Sequence, residues 1–165
     1  MTVIQPVIFG GKPYALGDEY GGGILACIYG YSSSGTPTGL VVSSVDISTS
    51  HSWSTVSSLS AGTSIEPGSG LLNCDNIISQ SGHTSSAASA CRQYDGGGYN
   101  DWVLPSKADW LDMIKWVSGS EIRSGYYWTS SESTSTTSFA FAGSNYTTTA
   151  SLKSFSFKVR AIRYI

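Results

Sequence analysis

Two histidines and three cysteines are the side chains of this sequence best suited to nucleophilic, acid–base or metal chemistry. His51 and His83 both lie in Ser/Thr-rich surroundings, so the residue types of a Ser-His-Asp arrangement are present. The G-x-S-x-G turn that presents a nucleophilic serine does not occur, however. We therefore expect both histidines to be solvated loop residues and the protein not to be an enzyme.

The cysteines Cys27, Cys74 and Cys91 include no C-x-x-C pair, so neither a zinc site nor a closed disulfide framework is predicted. Buried free thiols that pack as small apolar side chains are the expectation, and one disulfide plus one free cysteine is the alternative. Free thiols favour folding in a reducing compartment. The glycine runs at Gly21 and Gly96 lack the spacing of phosphate-binding loops. No metal or other cofactor is therefore expected.

The size and charge of the chain exclude several classes of protein. Its 165 residues suit a single domain, 1–165, with one hydrophobic core. Only 12% of the residues are charged and the formal net charge is -2, which argues against a nucleic-acid partner. No apolar run is long enough to span a bilayer, so membrane insertion is not expected. Because the first residues do not form a secretory signal, the chain is made in the cytoplasm or its signal has been removed.

Two long Ser/Thr-rich loops, 43–70 and 130–153, are the predicted contact surface. Proteins hold carbohydrates with Tyr and Trp faces and with hydroxyl, amide and acidic groups, and both loops offer such groups. The predicted ligand contacts are His51, Trp53, Glu132, Asn145 and Tyr146. Two alternatives stay open. Trp53 could be buried and fix its loop to the body of the domain, and Glu132 could be exposed without touching a ligand.

The segment 96–119 is the one that must position the rest of the chain. It begins with glycines and continues through a short apolar strand, 102–104, that Pro105 ends. Ser106 then predicts a helix N-cap, with Asp109 three residues later as a capping box. One apolar helix face is predicted, formed by Trp110, Leu111, Ile114 and Val117. Gly119 is predicted to end this helix. We expect the tryptophans of this segment to be buried in the core.

The remaining elements indicate an α+β fold with a mixed or antiparallel sheet. A turn-rich lead-in, 1–23, precedes an apolar strand at 24–29 that is predicted to be buried on both faces. Short strands are predicted at 40–42, 126–130 and 139–142, and the last run alternates apolar and polar residues from Phe155 to Ala161. Two flanking helical segments are predicted between them, one from Leu71 with Asn73 as its cap, and one after Gly82 capped by Thr84 or Ser85. The last run is expected to pair with 24–29.

Several pieces of the sequence occur in an order that is typical of one family: 17–24, 68–70 with Asn73 and Ile77, Ala87 and Ala88 with Cys91, 98–107, 127–132, and 159–163. Together they resemble the C-terminal domain of the Legionella collagen-like adhesin and its bacterial and phage relatives, which has a C-type-lectin-like fold. The resemblance covers nearly the whole chain, and GYNDWVLPS and YWTSSE are its most specific pieces. The Ser/Thr-rich stretches 43–60 and 133–151 do not match. The resemblance implies paired N- and C-terminal strands, two flanking helices and a long loop region that carries the ligand contacts.

Calcium-dependent sugar binding is common in the broad fold and depends on Glu-Pro-Asn and Trp-Asn-Asp motifs, whose oxygen atoms ligate the ion. In this sequence Gly68 follows Glu66-Pro67, and Trp102 follows Asn100-Asp101 instead of preceding it. Neither motif is present, which leaves calcium binding open only at some other site. We expect the Asp101 carboxylate to cap backbone N–H groups instead.

The resemblance implies attachment, often to polysaccharide and frequently as a trimer, and phage receptor-binding proteins use related folds at fibre tips. We therefore expect a non-enzymatic attachment domain on a phage virion, in a tail fibre or decoration protein, that recognises a cell-surface glycan as a homotrimer. A bacterial surface adhesin domain is one alternative. A structural virion protein whose loops contact other virion proteins is another.

Overall fold

The structure, a computed structural model, describes residues 14–118, 122 and 124–165. Residues 1–13 of the predicted lead-in and the predicted closing residue Gly119 lie outside the described residues. The described strands, in chain order, are β1 (Glu19–Tyr20), β2 (Gly23–Tyr31), β3 (Pro37–Val42), β4 (Ser48–Ser52), β5 (Tyr126–Glu132), β6 (Thr137–Ala142), β7 (Thr147–Leu152), β8 (Ser156–Val159) and β9 (Ile162–Tyr164). Two sheets with short helices confirm the predicted α+β class.

The first sheet has the order β1-β2-β3-β9 and is antiparallel throughout. The C-terminal strand therefore pairs with β3, through Leu40 with Tyr164 and Val42 with Ile162. The predicted pairing of the last run, 155–161, with 24–29 is wrong, because that run forms β8, which pairs with β4 and β5 in the other sheet. The prediction that 24–29 is buried on both faces is also wrong at its end, where Tyr29 is 57% exposed.

The second sheet has the order β4-β8-β5-β6-β7, with β8 parallel to β5 and the other pairs antiparallel. The predicted long loops 43–70 and 130–153 are therefore wrong in part, because they contain β4, β6 and β7. The two edge strands, β4 and β7, have the sequences STSHS and TTTASL. Threonine suits a strand, and a strand at the edge of a sheet does not need an apolar face, so these polar runs form strands without an alternating pattern.

The helices are α1 (Gly70–Ile78), α2 (Ala87–Gln93), α3 (Lys107–Asp112) and α4 (Ile114–Val117). Ser106 caps α3 in a capping box with Asp109, as predicted. The cap of α2 is Ser86, not Thr84 or Ser85, because its hydroxyl accepts the amide of Ser89.

Asn73 is not a helix cap, because it lies inside α1 and is fully buried. Its amide nitrogen donates to the Ser64 carbonyl at 2.8 Å and to the Ser130 hydroxyl at 2.9 Å. The predicted strand 102–104 is reduced to one bridge between Val103 and Ile162. Leu111 does not share the buried helix face, since it is 42% exposed.

Four fully buried tryptophans hold the core together: Trp53, Trp102, Trp110 and Trp128. Each indole N–H donates to a backbone carbonyl, respectively that of Thr129 at 2.8 Å, Gly96 at 3.1 Å, Trp128 at 3.2 Å and His51 at 2.7 Å. A buried indole must place its N–H on an acceptor, so each ring also fixes the chain segment that supplies the carbonyl. The predicted burial of the tryptophans of 96–119 is confirmed for Trp102 and Trp110.

Candidate functional site

Glu132 and Lys153 form a buried ion pair beneath the Ser/Thr-rich surface. Their side chains are 7% and 0% exposed, and the Lys153 Nζ lies 2.5 Å from a Glu132 carboxylate oxygen. The carboxylate also accepts the amides of Ala61 at 2.8 Å and Gly62 at 2.9 Å. Burial alone would raise the pKa of this carboxyl, but the bonds from Lys153 and Ala61 outweigh it and hold the pKa below its usual value.

The ammonium of Lys153 also donates hydrogen bonds to two surface loops. Its ammonium donates to the carbonyls of Leu59 at 2.9 Å and Ser135 at 2.8 Å, and it lies 4.6 Å from the centre of the Trp53 ring. Both alternatives considered for Glu132, surface exposure and ligand contact, are therefore wrong. Glu132 holds loop residues 60–63 against the sheet.

Trp53 is likewise a structural residue and not a ligand contact, because its ring is fully buried and its indole N–H is already bonded. His51 lies on β4 and is half-buried. Its Nδ1 is 2.7 Å from the Ser52 carbonyl and its Nε2 is 3.3 Å from the Ser85 hydroxyl. This geometry makes the ring a link between β4 and the start of α2.

The Ser85–His51 pair has the residue types of a catalytic dyad, but the amides around it are engaged. The backbone N–H groups of Thr84 and Ser85 both donate to the Thr55 hydroxyl, at 3.0 and 3.4 Å, and that of Ser86 donates to Ser89. An acyl-transfer site needs such donors aimed at the developing oxyanion. These three amides are therefore not available to bind such an oxyanion.

Asn145 and Tyr146 lie in the turn between β6 and β7. The Asn145 side chain accepts bonds from its neighbour Thr147 and is exposed, whereas Tyr146 is half-buried with a φ of 58°. This turn connects the paired residues Ala142 and Thr147 at the C-terminal end of β6. Glu132 pairs with Ser138, near the opposite end of the same strand. The structure thus does not bring the five predicted contacts together.

Two glycine runs that are far apart in the sequence meet instead. Gly22 and Gly97 have φ values of 84° and 66°, and a Cβ on Gly97 would lie 2.2 Å from the Gly22 Cα. A Cβ on Gly22 would lie 2.7 Å from the ring of Tyr99. Only glycine allows this approach, because no other residue combines a positive φ with the absence of a side chain. The glycine contact sets the position of Tyr99.

Arg163 also contacts Tyr99. Its guanidinium lies 3.5 Å from the centre of the Tyr99 ring, donates to the Gly21 carbonyl, and forms a two-point ion pair with Asp101, with Nη2 2.9 Å from Oδ2. The bond from Arg163 lowers the pKa of Asp101. The expectation that Asp101 is structural is confirmed, but its carboxylate pairs with Arg163 instead of capping backbone amides of a loop.

The ring of Tyr99, 40% exposed, forms one wall of a groove of about 430 Å³. We call it the tyrosine groove, and the lining residues that matter here are Tyr20, Ser32, Thr36, Thr38, Tyr99 and Arg163. Its volume lies in the range of small-ligand sites. Two aromatic rings, three hydroxyls and a guanidinium suit the apolar faces and hydroxyls of a sugar, and none of these groups is a nucleophile activated by a base.

Sequence reasoning missed this groove because its walls come from four separate segments of the chain. One signal for it existed, since Tyr20, Tyr99 and Arg163 lie in three of the pieces that resemble the adhesin family. The sequence predicts the contact surface instead in the Ser/Thr-rich loops 43–70 and 130–153.

All three cysteines are free, with Cys74 and Cys91 buried and Cys27 half-buried. Burial raises the pKa of each thiol, to about 12 for Cys74. Within residues 14–118, 122 and 124–165, no three His, Cys, Asp or Glu residues are grouped as a metal site would require. No helix in that part has the length and apolar character to cross a membrane.

Compared with models of known protein families and with curated protein sequences, the chain matches none of them. The resemblance to the Legionella adhesin domain therefore stays a prediction. Any assignment of function depends on the geometry described above.

Proposed function

We propose that the chain is a non-enzymatic attachment domain of C-type-lectin-like fold that binds cell-surface polysaccharide in the tyrosine groove. The α+β class, the buried tryptophans and the Ser106 cap support the fold. The observation that carries the function is the position of Tyr99. Its ring is partly open to solvent, and contacts with the Arg163 guanidinium and with Gly22 hold it in place.

A ring that is ordered before binding loses little entropy when a sugar stacks on it, and preorganisation of this kind increases affinity. The apolar face of a pyranose packs on an aromatic ring, and the hydroxyls of Ser32, Thr36 and Thr38 lie in the same groove to bond its polar edge. The Arg163 charge is balanced by Asp101, so the tyrosine groove itself does not require a charged sugar.

The proposed location is a phage virion, where the chain would be part of a tail fibre or decoration protein and a homotrimer. Three free thiols, two of them buried, support assembly in a reducing cytoplasm. A bacterial surface adhesin domain remains the alternative location. Charged residues on an edge strand commonly prevent it from pairing with other chains, and the edge strands β4 and β7 carry none. This favours contacts with neighbouring subunits as the second candidate function.

Tyr99→Ala tests the proposal in binding measurements against a panel of bacterial surface polysaccharides. We expect at least a tenfold loss of affinity, about 1.4 kcal/mol, because the stacking face is removed. Tyr29→Ala is the matched control, since Tyr29 is also an exposed tyrosine but lies outside the groove. Tyr99→Phe keeps the ring and should retain most of the affinity.

Unchanged affinity in Tyr99→Ala, or an equal loss in Tyr29→Ala, would overturn the assignment to this groove. Binding by no polysaccharide, together with burial of β4 and β7 against other proteins in intact particles, would favour the structural role. Sedimentation of the purified chain measures the proposed trimer.

A further inference from the structure

Strand β7 is a long sheet edge that the described part of the chain leaves open. Its six residues pair with β6 in an unbroken register, from Thr137 with Leu152 to Ala142 with Thr147. Four of the six are exposed, and the strand contains no charged residue and no proline. Natural edge strands are commonly very short, charged, bulged or covered, because an open edge pairs with other chains. Among the described residues, β7 has none of these protections.

The other edges of the two sheets differ from β7. Strand β1 has only two residues. The open side of β9 is covered at Ile162, which exchanges two backbone hydrogen bonds of 2.9 Å with Val103. The chain directly after β4 is fixed to the start of α2, because the Trp53 carbonyl accepts the amide of Ala87 at 3.1 Å. Of the two uncharged edges, β7 is therefore the longer and the less covered.

The direction of the free backbone groups of β7 follows from its hydrogen bonds to β6. One step beyond the strand, the Lys153 amide donates to the Thr136 carbonyl at 3.1 Å. Residues that bond to the neighbouring strand alternate with residues that do not, so the N–H groups of Thr148, Ala150 and Leu152 point away from β6. The carbonyls of Thr148 and Ala150 point the same way. Strand β7 therefore presents both donors and acceptors to a strand placed beside it.

We infer that β7 pairs with β7 of a second copy of this chain, antiparallel and around a two-fold axis at Ala150. In this register Ala150 exchanges both N–H···O bonds with the second copy's Ala150. The Leu152 N–H donates to the second copy's Thr148 carbonyl, since the Leu152 carbonyl already accepts the Phe155 amide at 2.9 Å. The contact is isologous, so each strand supplies the acceptors that the other needs.

The charge and composition of the strand favour a second copy as the partner. Like charges directly opposite each other destabilise a strand pair, and an uncharged strand places none against its own copy. The formal net charge of -2 is small, so two copies repel each other little. Three of the six residues are threonine, whose branched side chain favours a strand.

The inference goes beyond the proposed function, because β7 supplies no lining residue to the tyrosine groove. The two-fold axis is also separate from the proposed three-fold axis, so the contact joins copies of neighbouring trimers. Contacts that bury less than about 1,200 Å² are typical of weak encounters, and we expect one strand pair to give roughly millimolar association. A particle that carries many copies raises their effective concentration and so strengthens such a contact.

Heteronuclear NMR of the wild-type chain tests the contact. Between about 10 μM and about 1 mM protein, the amide signals of β7 should shift, because self-association follows mass action. Hydrogen exchange of the Thr148, Ala150 and Leu152 amides should slow by about twofold or more over the same range, since a bonded amide must open before it exchanges. The amide signals of β4 should not move. Sedimentation of the same samples should show a rising mean mass.

Ala150→Lys should abolish these changes, because it places two like charges opposite each other. Ala150→Pro removes the outward N–H without adding a charge and should weaken the association; an edge strand tolerates proline where the N–H faces solvent. Thr49→Lys is the matched control and should associate like the wild type, because Thr49 is an exposed residue of the other uncharged edge, β4. Circular dichroism checks that each variant is folded.

Amide signals of β7 that do not depend on concentration in the wild-type chain, or an unchanged response in Ala150→Lys, overturn the inference. Loss of association in Thr49→Lys alone places the contact at β4 and also overturns it. Protection of β7 only in an intact particle shows that the partner is a different protein and not a second copy. None of these outcomes bears on glycan binding, which Tyr99→Ala tests separately.

Discussion

Replacing Glu132 with glutamine removes one charge from a buried pair and keeps the shape of the side chain. Lys153 is then left fully buried with no negative charge to balance its ammonium, which still contacts the Leu59 and Ser135 carbonyls and the Trp53 ring. Removing one partner of a buried pair costs about 3–5 kcal/mol. In a domain of this size 1 kcal/mol corresponds to about 2–4 °C, so Glu132→Gln should lower Tm by about 6–20 °C.

Thermal unfolding followed by circular dichroism measures this effect, and Lys158→Gln is its control. The Lys158–Asp46 pair is longer, at 3.5 Å, and its side chains are 30% and 17% exposed, so its loss should cost less than about 1 kcal/mol. The double variant Glu132→Gln with Lys153→Met should lose less than the sum of the two single variants, because no uncompensated buried charge remains.

Acid titration gives an independent check. The folded-state pKa of Glu132 lies below its ordinary value of 4.5, so its contribution to stability is present above that pH and is lost as the pH falls through the folded-state pKa. Wild-type stability should therefore decline below about pH 4.5 more steeply than that of Glu132→Gln. A Tm change below about 2 °C in Glu132→Gln, or strict additivity in the double variant, would refute this account of the pair.

Two further predictions concern the glycine contact and the thiols. Gly97→Ala should cost more stability than Gly62→Ala and also weaken glycan binding, because both residues have nearly the same φ, 66° and 68°, but only the first Cβ meets another backbone. Equal melting temperatures would contradict the role of the contact. A thiol reagent should label Cys27 slowly in the native protein, and Cys74 and Cys91 only after unfolding, since the last two are fully buried. Three fast thiols under native conditions would disagree with the described core.

Features that depend on neighbouring residues were predictable from the sequence. The Ser106–Asp109 capping box spans three residues, and the strands at 126–130 and 139–142 follow from short apolar runs. The burial of Trp102 and Trp110 follows from the size and apolar character of the indole ring. In each case the physical cause lies within one turn of helix or one strand, so the pattern of residue types is sufficient.

Strand β4 and the neighbours of β8 could not be predicted in this way. A polar edge strand such as STSHS has no apolar period, and its hydrogen bonds to β8 define it. The alternation of the last run, 155–161, predicts a strand, which is β8, but not its neighbours β4 and β5, because an alternating pattern does not specify the strand it pairs with.

The candidate site also consists of contacts that local residue patterns do not predict. The sequence by itself determined an α+β chain with buried tryptophans and little charge. Only the tertiary structure decided that Gly22 meets Gly97, that Arg163 pairs with Asp101, and that Glu132 is an anchor instead of a contact. Gly22 and Gly97 are 75 residues apart in the chain, and Asp101 and Arg163 are 62 apart. Glu132 and its partner Lys153 are 21 apart. Contacts over such separations are set by how the sheets and loops pack, and local residue patterns do not record that packing.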